Sequence, residues 1–152
     1  LKNLVEDYFF ERFGVDRKFW ENYNVYWLGG SLWITSSDLE PRYKYISCGM
    51  RALRIMNPEF KVLKPTSYVL QYLGDNIRIN IVDTDIDDLK TIFNGRFLEN
   101  NNLDYGYIAL RYRGYIIGCG LKNSHGIKNQ IPKGRTKELE EILGEEYEKL
   151  PD

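Results

Sequence analysis

Gly106-Tyr107-Ile108-Ala109-Leu110-Arg111-Tyr112-Arg113-Gly114-Tyr115-Ile116-Ile117-Gly118-Cys119-Gly120 is the run whose reading decides the fold. Tyr107 to Tyr112 and Tyr115 to Cys119 are rich in aromatic and branched apolar residues, and Arg113-Gly114 between them supplies turn chemistry. The run therefore reads as a β-hairpin. It lies inside a longer stretch, Tyr105 to Lys137, that holds seven Lys or Arg and no Asp or Glu. Those seven are Arg111, Arg113, Lys122, Lys128, Lys133, Arg135 and Lys137. The whole chain carries a formal charge of −1, so positive charge is concentrated here. Cations attract phosphate, the interleaved Tyr107, Tyr112 and Tyr115 can stack on bases, and glycines let backbone approach a partner closely. The competing reading is the solvated side of an ordinary hairpin. The absence of acids over so many positions favours RNA.

Working outward, the basic Gly-containing segment is expected to run as a loop to Pro132. An acidic helix, Thr136 to Leu150, follows, with Gly144 as a dividing point. Upstream, a strand is expected at Ile77 to Val82, a helix at Thr84 to Phe93 ended by Asn94-Gly95, and a polar loop at Glu99 to Asp104. The first half opens with a helix, Leu1 to Phe13, closed by Gly14, and a short helix capped by Asp16. Asn24 to Leu28 and Ser31 to Thr35 are β-prone runs around Gly29-Gly30, a tight-turn signal. Tyr43 to Ser47 reads as a strand. Arg51 to Met56 and Phe60 to Lys64 read as a second hairpin around Asn57-Pro58-Glu59. Ser67 to Leu73 reads as a helix with Thr66 as cap. Gly74-Asp75-Asn76 is the most turn-like point near the middle, giving domains 1–76 and 77–152. The expected class is α+β, an α+β unit followed by a small mixed barrel with flanking helices.

At 152 residues and 43% apolar content the chain can bury a globular core. No apolar run approaches the roughly 20 residues needed to span a bilayer. Leu1 to Asp7 is too polar for a secretory signal, and two cysteines make no disulfide framework, so the expectation is a cytoplasmic protein. One His and no Cys-x-x-Cys give no metal site. Asp83-x-Asp85-x-Asp87-Asp88 has the look of a calcium loop, yet Asp88 stands where Gly is needed and Asn94 where a bidentate Glu belongs. Helix capping is the favoured role. Cys48, Cys119 and His125 lack any recognisable catalytic motif, and no Gly-rich strand-to-helix signature suits a nucleotide or S-adenosylmethionine. The reading is no cofactor and no enzyme.

The Gly106–Gly120 run, with its Gly-x-Gly ending, resembles the late hairpin of PUA domains. Gly126-Ile127-Lys128-Asn129-Gln130-Ile131-Pro132-Lys133 resembles the Lys-Asn-x-x-Pro-Lys/Arg signature that ends PUA-like modules of the Nol/Nop/Sun (fmu) ribosome-biogenesis family. In that family's enzymes the module follows an RNA cytosine-5 methyltransferase domain, whose Pro-Cys catalytic motif this sequence lacks. Glu11 to Val15 and the Val25-Tyr26-Trp27 to Trp33-Ile34-Thr35 region are similar to short stand-alone archaeal members with a pre-PUA unit before PUA. The resemblance implies a pre-PUA-like unit, a PUA-type β-pseudobarrel and a role in ribosome biogenesis or RNA modification. It also places Gly95 and Arg96 in a helix-to-strand loop near RNA, a position that equally serves as a C-cap.

On this reading Arg111 and Arg113 share strand parity and face one side. Lys122, Lys128, Lys133 and Arg135 are further candidate RNA contacts, and Tyr112 and Tyr115 are candidates for stacking. Asn129 is open between a bond to RNA and a structural loop bond. Arg51 and Arg54 have opposite parity and so form no single strand face; extending the positive surface together with Lys61 and Lys64 stays open, and a solvated hairpin is the better reading for all four. The expected partner is structured rRNA or tRNA, alone or with a separately encoded methyltransferase or pre-ribosome components, and no membrane. The rival classes are a protein-interaction module and a small enzyme of unrecognised type.

Overall fold

The computed structural model describes residues 1–39, 49–59, 61–99 and 102–144. The expected strand at Tyr43 to Ser47, Cys48, and the acidic end of the last helix from Glu145 lie outside them. Two compact units are present, Leu1–Ile79 and Asn80–Asp152. Each contains a four-stranded sheet with helices, so the protein is α+β, and the second sheet curls as a half-barrel consistent with a PUA-like pseudobarrel.

In the first unit, helix α1 (Lys2–Phe13) buries Val5, Phe9 and Phe13, positions four apart on one face. Its end is capped by the Gly14 N–H, and the Val15 N–H bonds to Phe9 O. Asp16 caps a 3₁₀ turn, Arg17–Trp20, by accepting from the Lys18 N–H at 2.9 Å. That turn seats the Trp20 ring 5.2 Å from Phe9. Strands β1 (Asn24–Leu28), β2 (Ser31–Thr35), β3 (Met50–Ile55) and β4 (Leu63–Pro65) form an antiparallel meander in that order. Gly29 and Gly30 both have positive φ, as the two-residue turn between β1 and β2 requires. The second hairpin differs from expectation: β4 starts only at Leu63. Asn57 Oδ1 accepts from the Lys61 and Val62 N–H groups and holds the connection as a loop. Pro65 ends β4 at the sheet edge, where a missing donor costs nothing. Helix α2 (Ser67–Leu73) is capped by Thr66 Oγ1, which accepts from the Val69 N–H at 3.1 Å and donates to Arg51 O.

In the second unit the first strand is displaced. β5 spans Ile81–Thr84 rather than Ile77 to Val82, because the Arg78 N–H bonds to Phe13 O at 2.8 Å and Asn80 turns the chain at φ 57. Ile77 is buried within the first unit. Helix α3 (Ile86–Phe93) crosses over to β6 (Gly106–Tyr112), which pairs parallel with β5. Asp85 and Asp88 form a reciprocal capping box at the start of α3, so the acid-rich run serves the helix end. Among the described residues no group of His, Cys, Asp and Glu is arranged to hold a metal.

β7 (Tyr115–Asn123) is longer than expected, and the supposed loop to Pro132 is a second hairpin with β8 (Gly126–Asn129). Gly126 makes this closure possible. At φ 122 its place beside Leu98 O leaves 2.4 Å for a Cβ, and Leu98 and Ile127 exchange backbone bonds there. Helix α4 (Lys133–Ile142) begins immediately after Pro132, not at Thr136. Val82, Leu89, Ile92, Ile108, Leu110, Ile117, Ile127, Ile131 and Leu139 make the core of this unit. No helix among the described residues is long and apolar enough to cross a membrane.

Candidate nucleic-acid interface

The second unit brings the end of α3, strand β8 and the first turns of α4 around one groove of about 320 Å³. Ile92, Phe93 and Ile131 give it an apolar floor, and Gly95, Lys128, Lys133, Lys137 and Glu140 line it. Local chemistry explains the convergence. Gly95, at φ 82, reverses the chain directly after α3 and leaves its side of the groove without a side chain. Lys133 and Lys137 are four apart in α4 and share a face.

Asn129 fixes the corner between β8 and α4. Its Oδ1 accepts from the Ile131 N–H at 3.0 Å, and its Nδ2 donates to Thr136 Oγ1 at 3.2 Å. The Thr136 hydroxyl in turn donates to Ile131 O at 3.3 Å. Asn129 therefore braces the chain.

Positive charge prevails in the groove, three lysines against the one carboxylate of Glu140. Lys128, Lys133 and Lys137 are exposed and make no ion pair among the described residues. The N-terminus of α4 has Pro132 at its cap position, no side-chain cap and no acid in its first turn. Its unpaired N–H groups and dipole add positive potential beside the lysines, an arrangement that favours a phosphate.

The other candidate residues lie elsewhere in the unit. Arg111 is held by Asp83 through two bonds, Nε to Oδ1 at 2.6 Å and Nη2 to Oδ2 at 2.9 Å. This pair keeps the Asp83 carboxyl below the usual carboxylate range. The parity argument for Arg111 and Arg113 fails, because β6 ends at Tyr112 and Arg113 is a turn residue at φ 49. The Arg113 guanidinium lies over the Tyr112 ring, 5.3 Å from its centroid. Tyr112 is half-buried against the core, whereas Tyr115 at the hairpin tip is 77% exposed. Lys122, expected at the surface, is only 7% exposed within β7. Arg135 pairs with Glu138 one turn on, at 2.9 Å. Arg96 is exposed after Gly95 but does not line the groove. Lys137 was missed as a site residue. Starting the helix at Pro132, a residue suited to a helix start, exposes its four-residue spacing from Lys133.

Fold and groove together define a class: an α+β protein of two units, the second a half-barrel with a cationic groove at a helix N-terminus. Over 108 residues, 70% of the chain, the sequence is 26% identical to "Ribosomal RNA small subunit methyltransferase F" of Vibrio vulnificus, in strains YJ016 and CMCP6 alike. The matched part is 23% of each of those proteins, so the chain spans less than a quarter of their length. The chain is thus distantly similar to an RNA methyltransferase family. No family model matches it.

Proposed function

We propose that the protein binds structured rRNA or tRNA without catalysing a reaction on it, in ribosome biogenesis or RNA modification, with its second unit acting as a PUA domain. The observation that carries this reading is the convergence of Lys128, Lys133 and Lys137, none of them ion-paired among the described residues, on the uncapped start of α4. Three cations and a helix N-terminus around an apolar floor suit a phosphate backbone whose base or sugar sits on Phe93, the half-buried side chain of that floor. The similarity to a protein named for methylating small-subunit rRNA supports the same ligand class. The non-catalytic part rests on the missing Pro-Cys motif and on Cys119, which is buried within β7. A separately encoded methyltransferase or pre-ribosome components would act on the RNA presented. Crosslinking in cells, followed by sequencing of the attached RNA, is expected to recover rRNA or tRNA. Recovery of protein partners alone, unchanged by nuclease, overturns the reading; methyl transfer to rRNA by the purified chain overturns its non-catalytic part.

A further inference from the structure

Arg51 and Arg54 are three apart, and regular strand alternation puts them on opposite faces. The register of β3 against β2 removes that separation. Leu32 pairs with Leu53 but Trp33 pairs with Arg51, so Ala52 is an extra residue in β3. Ser31 pairs with Arg54. Because Ser31 and Trp33 lie two apart on β2, their partners Arg54 and Arg51 share one face. Leu32 and Leu53, which are buried, mark the other face.

Two cross-strand rows result on the outer face. One holds Tyr26, Trp33 and Arg51; the next holds Arg54 and Lys64, with Ser31 buried beside them. The Trp33 indole is fixed by a bond from Nε1 to Leu28 O at 3.0 Å, and the Arg51 guanidinium sits over it at 5.1 Å from the centroid. Arg51 and Arg54 are exposed and make no ion pair among the described residues.

We propose that the outer face of the first sheet is a second RNA-contacting surface, which holds an unpaired stretch with a base stacked on Arg51 and a phosphate on Arg54. The inference rests on the RNA-binding reading above, but it uses a different unit and different residues. A guanidinium already held on an indole offers its second planar face to a base without further ordering. Arg54 lies one row away, about 7 Å at two residues of about 3.4 Å each, the scale of the step from a stacked base to its neighbouring phosphate. Positive charge with a stacking plane fits single-stranded RNA better than it fits an acidic peptide, which needs no plane.

The test uses the full chain and a short unstructured, fluorescently labelled oligoribonucleotide. Arg51→Ala/Arg54→Ala is expected to weaken binding about tenfold or more, with Arg51→Lys/Arg54→Lys recovering only part of the loss. Ultraviolet crosslinking of the wild-type complex is expected to mark the peptide containing Trp33, which keeps the idea testable if the double variant does not fold. Wild-type affinity in the folded alanine variant, or no crosslink on that peptide, overturns the second surface. If the same arginine variant binds normally while a Lys128/Lys133/Lys137 variant does not, the RNA reading stands and this inference falls. If the wild-type chain binds no RNA, both fall.

Discussion

Replacing Lys128, Lys133 and Lys137 together by Ala gives the sharpest expectation. All three lysines line one groove of about 320 Å³ and make no ion pair among the described residues, so each is available to a phosphate. Each phosphate neutralised on a single strand contributes about 0.7 to the slope of log affinity against log salt, so the triple variant loses about 2 from that slope. If the lines converge near about 1 M salt, the affinity deficit at about 0.1 M is about a hundredfold and shrinks steadily as salt is added. Fluorescence anisotropy of a labelled rRNA fragment over a salt series reads both quantities. Stability should change by less than about 0.5 kcal/mol, since the three side chains are exposed. Arg111→Ala/Arg135→Ala is the matched control, because those cations are engaged by Asp83 and Glu138. An unchanged slope in the lysine variant refutes the groove. A slope loss of about 1.4 in the arginine variant, in proportion to its two charges, refutes it too, since overall charge would then suffice.

Asn129→Ala removes the bonds to the Ile131 N–H and Thr136 Oγ1 and is expected to cost about 1–3 kcal/mol in urea unfolding and, by loosening the corner that brings the three lysines together, to weaken RNA binding as well. Gly126→Ala would set a Cβ 2.4 Å from Leu98 O at φ 122, and a thermal melt should show a loss of about 2–4 kcal/mol. In the first unit the Tyr23 phenol is pushed up to about 12, first by its hydrogen bond with Tyr72 and then by desolvation. The folded state holds this proton more tightly, so the stabilisation is complete below about pH 10 and lost as pH rises through about 12. Spectrophotometric titration of Tyr72→Phe should bring that ionisation down towards the ordinary tyrosine range, and an unmoved titration would remove the hydrogen bond as its cause.

The sequence was most legible where one residue carries a local signal. Gly14 ends α1, Asp16 and Thr66 cap the elements they precede, and the turns at Gly29-Gly30 and Arg113-Gly114 join the strand pairs expected. It was least legible where a distant partner decides. The Phe13 carbonyl takes the Arg78 N–H and delays β5, and Leu98 pairs with Ile127 and turns a supposed loop into β8. Neither partner lies within a window that periodicity can read. The extra residue Ala52 is of the same kind: parity counting assumes a regular strand, and only the register against β2 shows that Arg51 and Arg54 share a face.

The acid-free stretch from Tyr105 to Lys137 shows why a charge run has to be sorted in space before it is assigned a ligand. Its acids are missing only along the chain. Asp83, from the neighbouring parallel strand, takes Arg111, and Glu138, three residues along α4, takes Arg135. Burial withdraws Lys122, and a turn lays Arg113 on Tyr112. What remains of the seven is Lys128, Lys133 and Lys137, and these three meet because Asn129 and Thr136 fix the corner that starts α4 at Pro132. A cation held by a carboxylate must give up that partner to bind a phosphate, so it adds little to affinity, whereas an unpaired one contributes its full counterion release. Geometry thus replaces a count of seven with a groove of three, and the signature Lys128 to Lys133 both supplies two of those cations and turns the chain into the helix that carries the third, Lys137.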